Sequence, residues 1–257
     1  MMKMSRWFAT VAAATMMVAG ASSAFAADKI KIGTEGAYPP FNTLTADGKL
    51  EGFDIDIANA LCAQMKAECE LVTQDWDGMI PALQAKKFDA IIASMSITPE
   101  RKKQVAFTNK YYTTPLALVA LKDSSLAGTD GEAVKGKTVG AQASTTQADY
   151  AQDVYAKAGA DVKLYPTQEE AVTDLVNGRL DAVLSDKFVL VDWMKNGSAK
   201  DCCKMIGDVK GTETEAGIAV RQEDNELREK FNAAIDAIVA DGTYKKIQSK
   251  YFDFDIY

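Results

Sequence analysis

The chain of 257 residues contains no histidine. The commonest general base and the commonest metal ligand are therefore missing together, which weakens any reading as a metalloenzyme or an acid–base catalyst. Positive charge is also short, with 29 Lys and Arg against 36 Asp and Glu. Without an excess of cations to neutralise phosphates, nucleic acid is not expected as a partner, while a cationic ligand is mildly favoured. Beyond residue 26 no apolar run is long enough to span a bilayer. Cysteine is scarce, with four in the chain. Cys62 and Cys69 lie close enough for Ala67-Glu68 to turn the chain between them, which suits a disulfide in an exported protein. Cys202 and Cys203 are adjacent, and a vicinal bridge and two free thiols both stay open. Neither pair has zinc-ligand spacing.

The N-terminus accounts for the expectation of export. Lys3 and Arg6 precede a short apolar run, Trp7 to Val18, and Ala24-Phe25-Ala26 supplies a small-x-small cleavage signal. Residues 1–26 are read as a signal peptide. No cysteine near that point could take a lipid, so a periplasmic protein without a lipid anchor is expected. Residues 27–257 then carry 27 basic against 36 acidic side chains, a net charge of −9. Their length suits one large domain or two modest ones.

From there the pattern alternates. Short apolar runs at Lys29–Gly33, Leu71–Thr73 and Phe88–Ala93 read as strands, separated by helices from about Asp54 and from Trp76. After the extended Tyr111–Leu121 and a loop rich in Gly, Ser and Asp, the alternation restarts. Strands are expected at Lys137–Ala141, Val162–Tyr165 and Leu180–Leu184, with helices over Gln147–Ala158 and Gln168–Asn177. A strand at Gly217–Val220 and two helices, Asn225–Ala240 and Thr243–Tyr251, close the chain. Such alternation predicts an α/β fold: two lobes, each a mostly parallel sheet flanked by helices, with ligands bound beyond the carboxyl ends of strands.

The stretch Ala93-Ser94-Met95-Ser96-Ile97-Thr98-Pro99-Glu100-Arg101 is where strand character gives way to chemistry. Small hydroxyl residues end an apolar run, Pro99 suits the first turn of a helix, and Arg101 can hold a carboxylate bidentately. Other strand ends add to it. Glu35 and Tyr38 follow the first, Trp76 the second, Thr145-Thr146-Gln147 the strand at Lys137–Ala141, and Asp186 the one at Leu180–Leu184. A helix start at Thr145-Thr146 favours an anion, Asp186 favours an ammonium group, and Trp76 and Tyr38 offer aromatic faces. Each has a plainer explanation: Thr145-Thr146 as a cap, Asp186 as a cap for a following helix, Tyr38 and Trp76 as core. Taken together they describe an α-amino acid.

The chain resembles, from residue 27 to its end, the periplasmic polar-amino-acid-binding proteins of ABC importers, of the lysine/arginine/ornithine and histidine type. The resemblance rests on Gly52-Phe53-Asp54-Ile55-Asp56-Ile57-Ala58-Asn59-Ala60-Leu61-Cys62, on Ala93–Thr98 with Arg101, and on Asp241-Gly242-Thr243-Tyr244 and Lys250-Tyr251-Phe252-Asp253. It implies one lobe from 27–113 with 213–257 and a second from 114–212, joined by two extended hinge crossovers around a ligand cleft. It also implies a Cys62–Cys69 disulfide. Arg101, the Thr146 hydroxyl and backbone N–H groups near Ser96 and Thr146 would hold the ligand carboxylate. Asp186 and Ser94 would hold the ammonium, Tyr38 and Trp76 would clamp the side chain, and Glu35 would meet its positive tip. Ala93 and Gln147 complete the expected lining. Relatives often carry aspartate at Glu35, serine at Ala93 and phenylalanine at Trp76, and Lys187 beside Asp186 is a further departure.

The expected function is capture of a basic L-amino acid (arginine, ornithine or lysine) and its delivery to a membrane ABC permease. The protein is expected to be a monomer without cofactor or metal. The alternatives within binding are histidine, an opine, or sensing for a membrane receptor. In a different class stands a dehydratase-like enzyme, for which Glu35 is the one candidate acid.

Overall fold

The computed structural model describes residues 28–257; the expected signal peptide, 1–26, lies outside them. In chain order the elements are β1 (Lys29–Thr34), β2 (Ala37–Tyr38), β3 (Asn42–Leu44), β4 (Leu50–Glu51), α1 (Phe53–Met65), β5 (Glu68–Thr73), α2 (Met79–Gln84), β6 (Ala90–Ile91), α3 (Pro99–Lys102) and β7 (Ala106–Thr114). They continue with β8 (Leu116–Leu121), β9 (Thr138–Gln142), α4 (Thr146–Tyr150), β10 (Asp161–Tyr165), α5 (Gln168–Val176), β11 (Ala182–Asp186), α6 (Lys187–Lys195) and β12 (Cys203–Asp208). The chain closes with β13 (Thr214–Val220), α7 (Asn225–Ala240) and α8 (Thr243–Gln248).

Two five-stranded sheets organise the molecule, in the orders β5-β1-β6-β13-β7 and β10-β9-β11-β8-β12. In each sheet three strands run parallel, β5-β1-β6 and β10-β9-β11. The fourth strand of each sheet joins antiparallel to both neighbours: β13 to β6 and β7, and β8 to β11 and β12. Helices cover the faces. The apolar contacts of α1 (Phe53, Ile57, Leu61) and α7 (Phe231, Ile235, Ile238) belong to one buried core with Ile30 and Ile32 of β1.

Only Pro115 separates β7 of one sheet from β8 of the other. The return crossover, 209–213, lies beside it. Val209 N–H donates to Leu116 O at 2.8 Å, Leu116 N–H donates to the Thr212 hydroxyl at 3.1 Å, and Thr214 pairs with Thr114. The C-terminus meets the same place, where Thr113 N–H donates to Ile256 O at 2.7 Å.

Three departures from the sequence reading matter for the site. The strand expected at Phe88–Ala93 pairs only over Ala90–Ile91, because the backbone turns away at Ser94, whose φ is 55°. The helix expected over Gln147–Ala158 begins at Thr146 and widens into a π-helical stretch, Ala151–Ala156. Helix α6, strand β12 and the small sheet β2-β3-β4 have no counterpart in the strand-and-helix pattern read from the sequence.

Both cysteine pairs are disulfides, Cys62–Cys69 and the vicinal Cys202–Cys203. No helix among the described residues is long and apolar enough to cross a membrane.

Candidate functional site

Between the sheets lies a narrow cleft lined by Glu35, Tyr38, Trp76, Ala93, Ser94, Ser96, Arg101, Gln142, Thr145, Thr146, Gln147 and Asp186. The eleven residues singled out from the sequence are all there, and Gln142 joins them. Each stands at or just beyond a strand end: Glu35 after β1, Trp76 after β5, Ser94 after β6, Thr145 after β9, and Asp186 as the last residue of β11.

Arg101 is fixed from its own lobe first. Thr98 caps α3, its hydroxyl accepting from Arg101 N–H at 3.1 Å, and Pro99 opens the helix. The guanidinium donates to Ser96 O at 2.9 Å and, across the cleft, to Ser144 O at 3.1 Å. Its central carbon sits 5.3 Å from the Trp76 ring centre. Two of five N–H groups are committed, so the fork keeps donors for a carboxylate. Burial lowers the Arg101 pKa, opposed by Asp149 and Asp186. Trp76 is itself tied across the cleft, its indole N–H donating to Ser144 O at 3.0 Å.

The acidic side of the cleft is desolvated. Asp186 is 4% exposed; one carboxylate oxygen accepts the Tyr38 hydroxyl at 2.7 Å, and the other is buried without a partner among the described residues. Burial raises its pKa to about 6, although Tyr38 and Arg101 pull the other way. Its side chain makes no cap to α6, so the plainer reading of this residue fails. Lys187 turns away and pairs with Asp208 at 2.8 Å. Glu35 accepts from the Gln142 amide at 2.6 Å, and burial, reinforced by Asp75 and Asp77, raises its pKa to about 7.

The hydroxyl residues divide. Thr145 is the cap the plainer reading proposed: it accepts from Ala148 N–H at 3.2 Å and donates back to Gln142 O. The Thr146 hydroxyl donates to Gln147 Oε1 at 3.2 Å, and the Gln147 amide donates to the Tyr38 hydroxyl at 3.2 Å. The Ser94 hydroxyl donates to Asp54 at 2.9 Å, so Ser94 keeps only acceptors for the cleft: its hydroxyl oxygen and its carbonyl, which accepts no hydrogen bond among the described residues. Gln142 and Asp54 were missed. Gln142 carries a visible signal, a buried amide ending an apolar strand; Asp54, inside the motif Gly52–Cys62, reads from sequence as an ordinary first-turn acid.

In chemical terms the cleft presents a guanidinium, two desolvated carboxylates and aromatic faces, with hydrogen bonds closing it from both lobes. Among the described residues no group of His, Cys, Asp and Glu is arranged to hold a metal ion. The chain is 50% identical to the L-arginine-binding protein of Pseudomonas aeruginosa over 238 residues, 91% of this chain and 92% of that one. It is 41% identical to the histidine-binding periplasmic protein of Salmonella typhimurium, over 92% of this chain and 93% of the other. Its fold matches an ancestral arginine-binding protein bound to arginine with a TM-score of 0.81 at 40% identity, covering 87% of this chain and 98% of that one. The sequence profile of the bacterial extracellular solute-binding proteins, family 3, matches residues 30–254, and the chain belongs to that family.

Proposed function

We propose that the protein captures a basic L-amino acid, of the arginine, ornithine and lysine class, by closure of its lobes, and delivers it to a membrane ABC permease. One observation carries this reading: the cleft holds two desolvated carboxylates, Glu35 and Asp186, each raised in pKa by burial, together with one arginine. Burying charge is costly unless it is paired, and a ligand with two cations and one anion pairs all three. Arg101, with the Thr146 hydroxyl and the N–H groups of Ser96 and Thr146, takes the α-carboxylate. The unpartnered oxygen of Asp186 and the Ser94 carbonyl take the α-ammonium. Tyr38, the Trp76 face not covered by Arg101, and Ala93 flank the side chain, and Glu35 meets its tip with Gln142 beside it.

The lobes comprise residues 27–113 with 213–257, and 114–212. Closure turns on the paired crossovers at Thr114–Leu116 and 209–213. Residues 1–26 direct export to the periplasm, where the protein acts as a monomer. No chemistry is done on the ligand, which is released unaltered. The names of the relatives support the arginine end of the class.

The test is a calorimetric titration panel of free amino acids. Arginine, ornithine and lysine should bind more tightly than glutamine or leucine by roughly 3 kcal/mol or more, the scale of a buried charge pair. Preference for glutamate, glutamine or leucine would refute the basic-ligand reading, and chemical change of the recovered ligand would refute the binding role.

A further inference from the structure

The cleft contains a serine held in an unusual backbone conformation by a carboxylate that lies outside it. Ser94 has φ of 55°, the left-handed region that non-glycine residues seldom occupy and that persists only where the surroundings enforce it. The enforcement is visible. Ser94 N–H donates to the Tyr111 hydroxyl at 2.9 Å, and the Ser94 hydroxyl donates to Asp54 Oδ2 at 2.9 Å. The Tyr111 hydroxyl donates in turn to Asp54 Oδ1 at 2.8 Å, and the Asn42 amide to Oδ2 at 2.8 Å. Asp54 itself is fully buried in the first turn of α1. Both donors of Ser94 are thus drawn inward, toward one carboxylate and the phenol it holds.

We infer that Asp54 is a positioning residue for ligand recognition: through Tyr111 and the Ser94 hydroxyl it fixes the left-handed turn that aims the Ser94 carbonyl at the ammonium end of the cleft. This rests on the proposed binding of an amino acid and extends it to a residue that touches no ligand. Asp54 accepts three hydrogen bonds, one at Oδ1 and two at Oδ2, and ionised it has no donor of its own to place among them. An asparagine there must present an N–H to at least one group that already donates. The Ser94 turn then relaxes, and its carbonyl is no longer held in place.

The experiment compares two ligands and one cycle. Arginine and 5-guanidinopentanoate, which lacks only the α-amino group, are titrated calorimetrically into the wild type and Asp54→Asn. Arginine should lose about 10- to 100-fold in affinity, as for a hydrogen bond to a charged group, and the desamino analogue less than about threefold. On arginine alone, Asp54→Asn should cost less than about threefold when placed in a Ser94→Gly background, where the turn needs no enforcement and the hydroxyl is gone. Equal losses for both ligands, or additive effects of the two substitutions, would overturn the inference. Should Asp54→Asn fail to fold, Tyr111→Phe removes a single hydroxyl from the same relay and should show the same selective loss. The cycle decides even where the analogue binds too weakly to titrate. Failure of the wild type to bind arginine at all would instead remove the reading on which this stands.

Discussion

Acidification should release the ligand, by an amount that the two cleft carboxylates and Asp54 behind them set. Glu35 has its pKa raised to about 7, by burial first and by Asp75 and Asp77 after it, and Asp186 is raised to about 6 by burial. A cationic ligand binds the ionised forms. At pH 5 a group of pKa about 7 is ionised to about 1%, so affinity through Glu35 should fall about 100-fold relative to pH 8 or above. Asp186 should add about a further tenfold. Asp54, also raised to about 6 by burial, titrates in the same range and should add up to about a further tenfold through the Ser94 turn, while the carboxylate, ammonium and guanidinium of arginine keep their charges throughout it. Glu35→Gln should therefore flatten the profile to the part that Asp186 and Asp54 supply, and should also narrow the preference for arginine over glutamine.

Stability of the ligand-free protein moves the other way. A carboxyl group whose folded pKa lies above its unfolded value binds protons more readily when folded, so its contribution is present at low pH and is lost as pH rises through the folded value. For Glu35 and Asp186 that loss spans about pH 4 to 7. The melting temperature without ligand should rise on acidification toward pH 5, while the increment produced by saturating arginine shrinks. Calorimetric titrations and thermal melts at half-unit intervals between pH 5 and 8 test both halves. An arginine affinity that is flat across this range would refute the assignment of either carboxylate to a ligand cation. A profile unchanged by Glu35→Gln would refute the placing of Glu35 at the tip.

Arg101→Ala should weaken every amino acid ligand by about 2–5 kcal/mol, some 30-fold to several thousand-fold, while the melt of the ligand-free protein stays cooperative; near-native affinity would reject the carboxylate assignment. Trp76→Phe keeps an aromatic face but loses the indole hydrogen bond to Ser144 O. It should weaken arginine about three- to tenfold, mainly through faster dissociation in stopped-flow. Replacing Cys62 and Cys69 together with alanine removes a short covalent loop at the far end of α1 from the cleft. Stability should drop by about 2–3 kcal/mol, or roughly 4–12 °C in melting temperature, with the order of ligand preference unchanged. A changed order would mean that the bridge shapes the pocket.

What could be seen beforehand, and what could not, divides along a physical line. Residues whose role is to end a strand and face a cleft announce themselves by position. An apolar run followed by Ser, Thr, Asp or Arg locates them one strand at a time, which is how Glu35, Trp76, Ser96, Arg101, Thr146 and Asp186 were found. Which atoms they offer depends on partners remote in sequence. Ser94 reads as a partner for a ligand ammonium, yet where its hydroxyl proton goes is set by Asp54, forty residues earlier. Thr145 reads as part of an anion site, yet its hydroxyl completes a cap within its own turn. Helix α6 hides because Phe188-Val189-Leu190-Val191 has the residue types of a strand, although in the fold it is a helix that buries Phe188, Val189, Leu190 and Trp193. The departures from the family pattern can be weighed in the same way. Lys187 matters little, because its ammonium is held by Asp208 outside the cleft. Glu35 matters a great deal, because it reaches Gln142 of the other lobe. A contact between lobes is formed only when they close, so a ligand tip that competes for Glu35 is recognised by the closed state itself. Selectivity for the side chain and stability of the closed form are then one quantity read at one carboxylate.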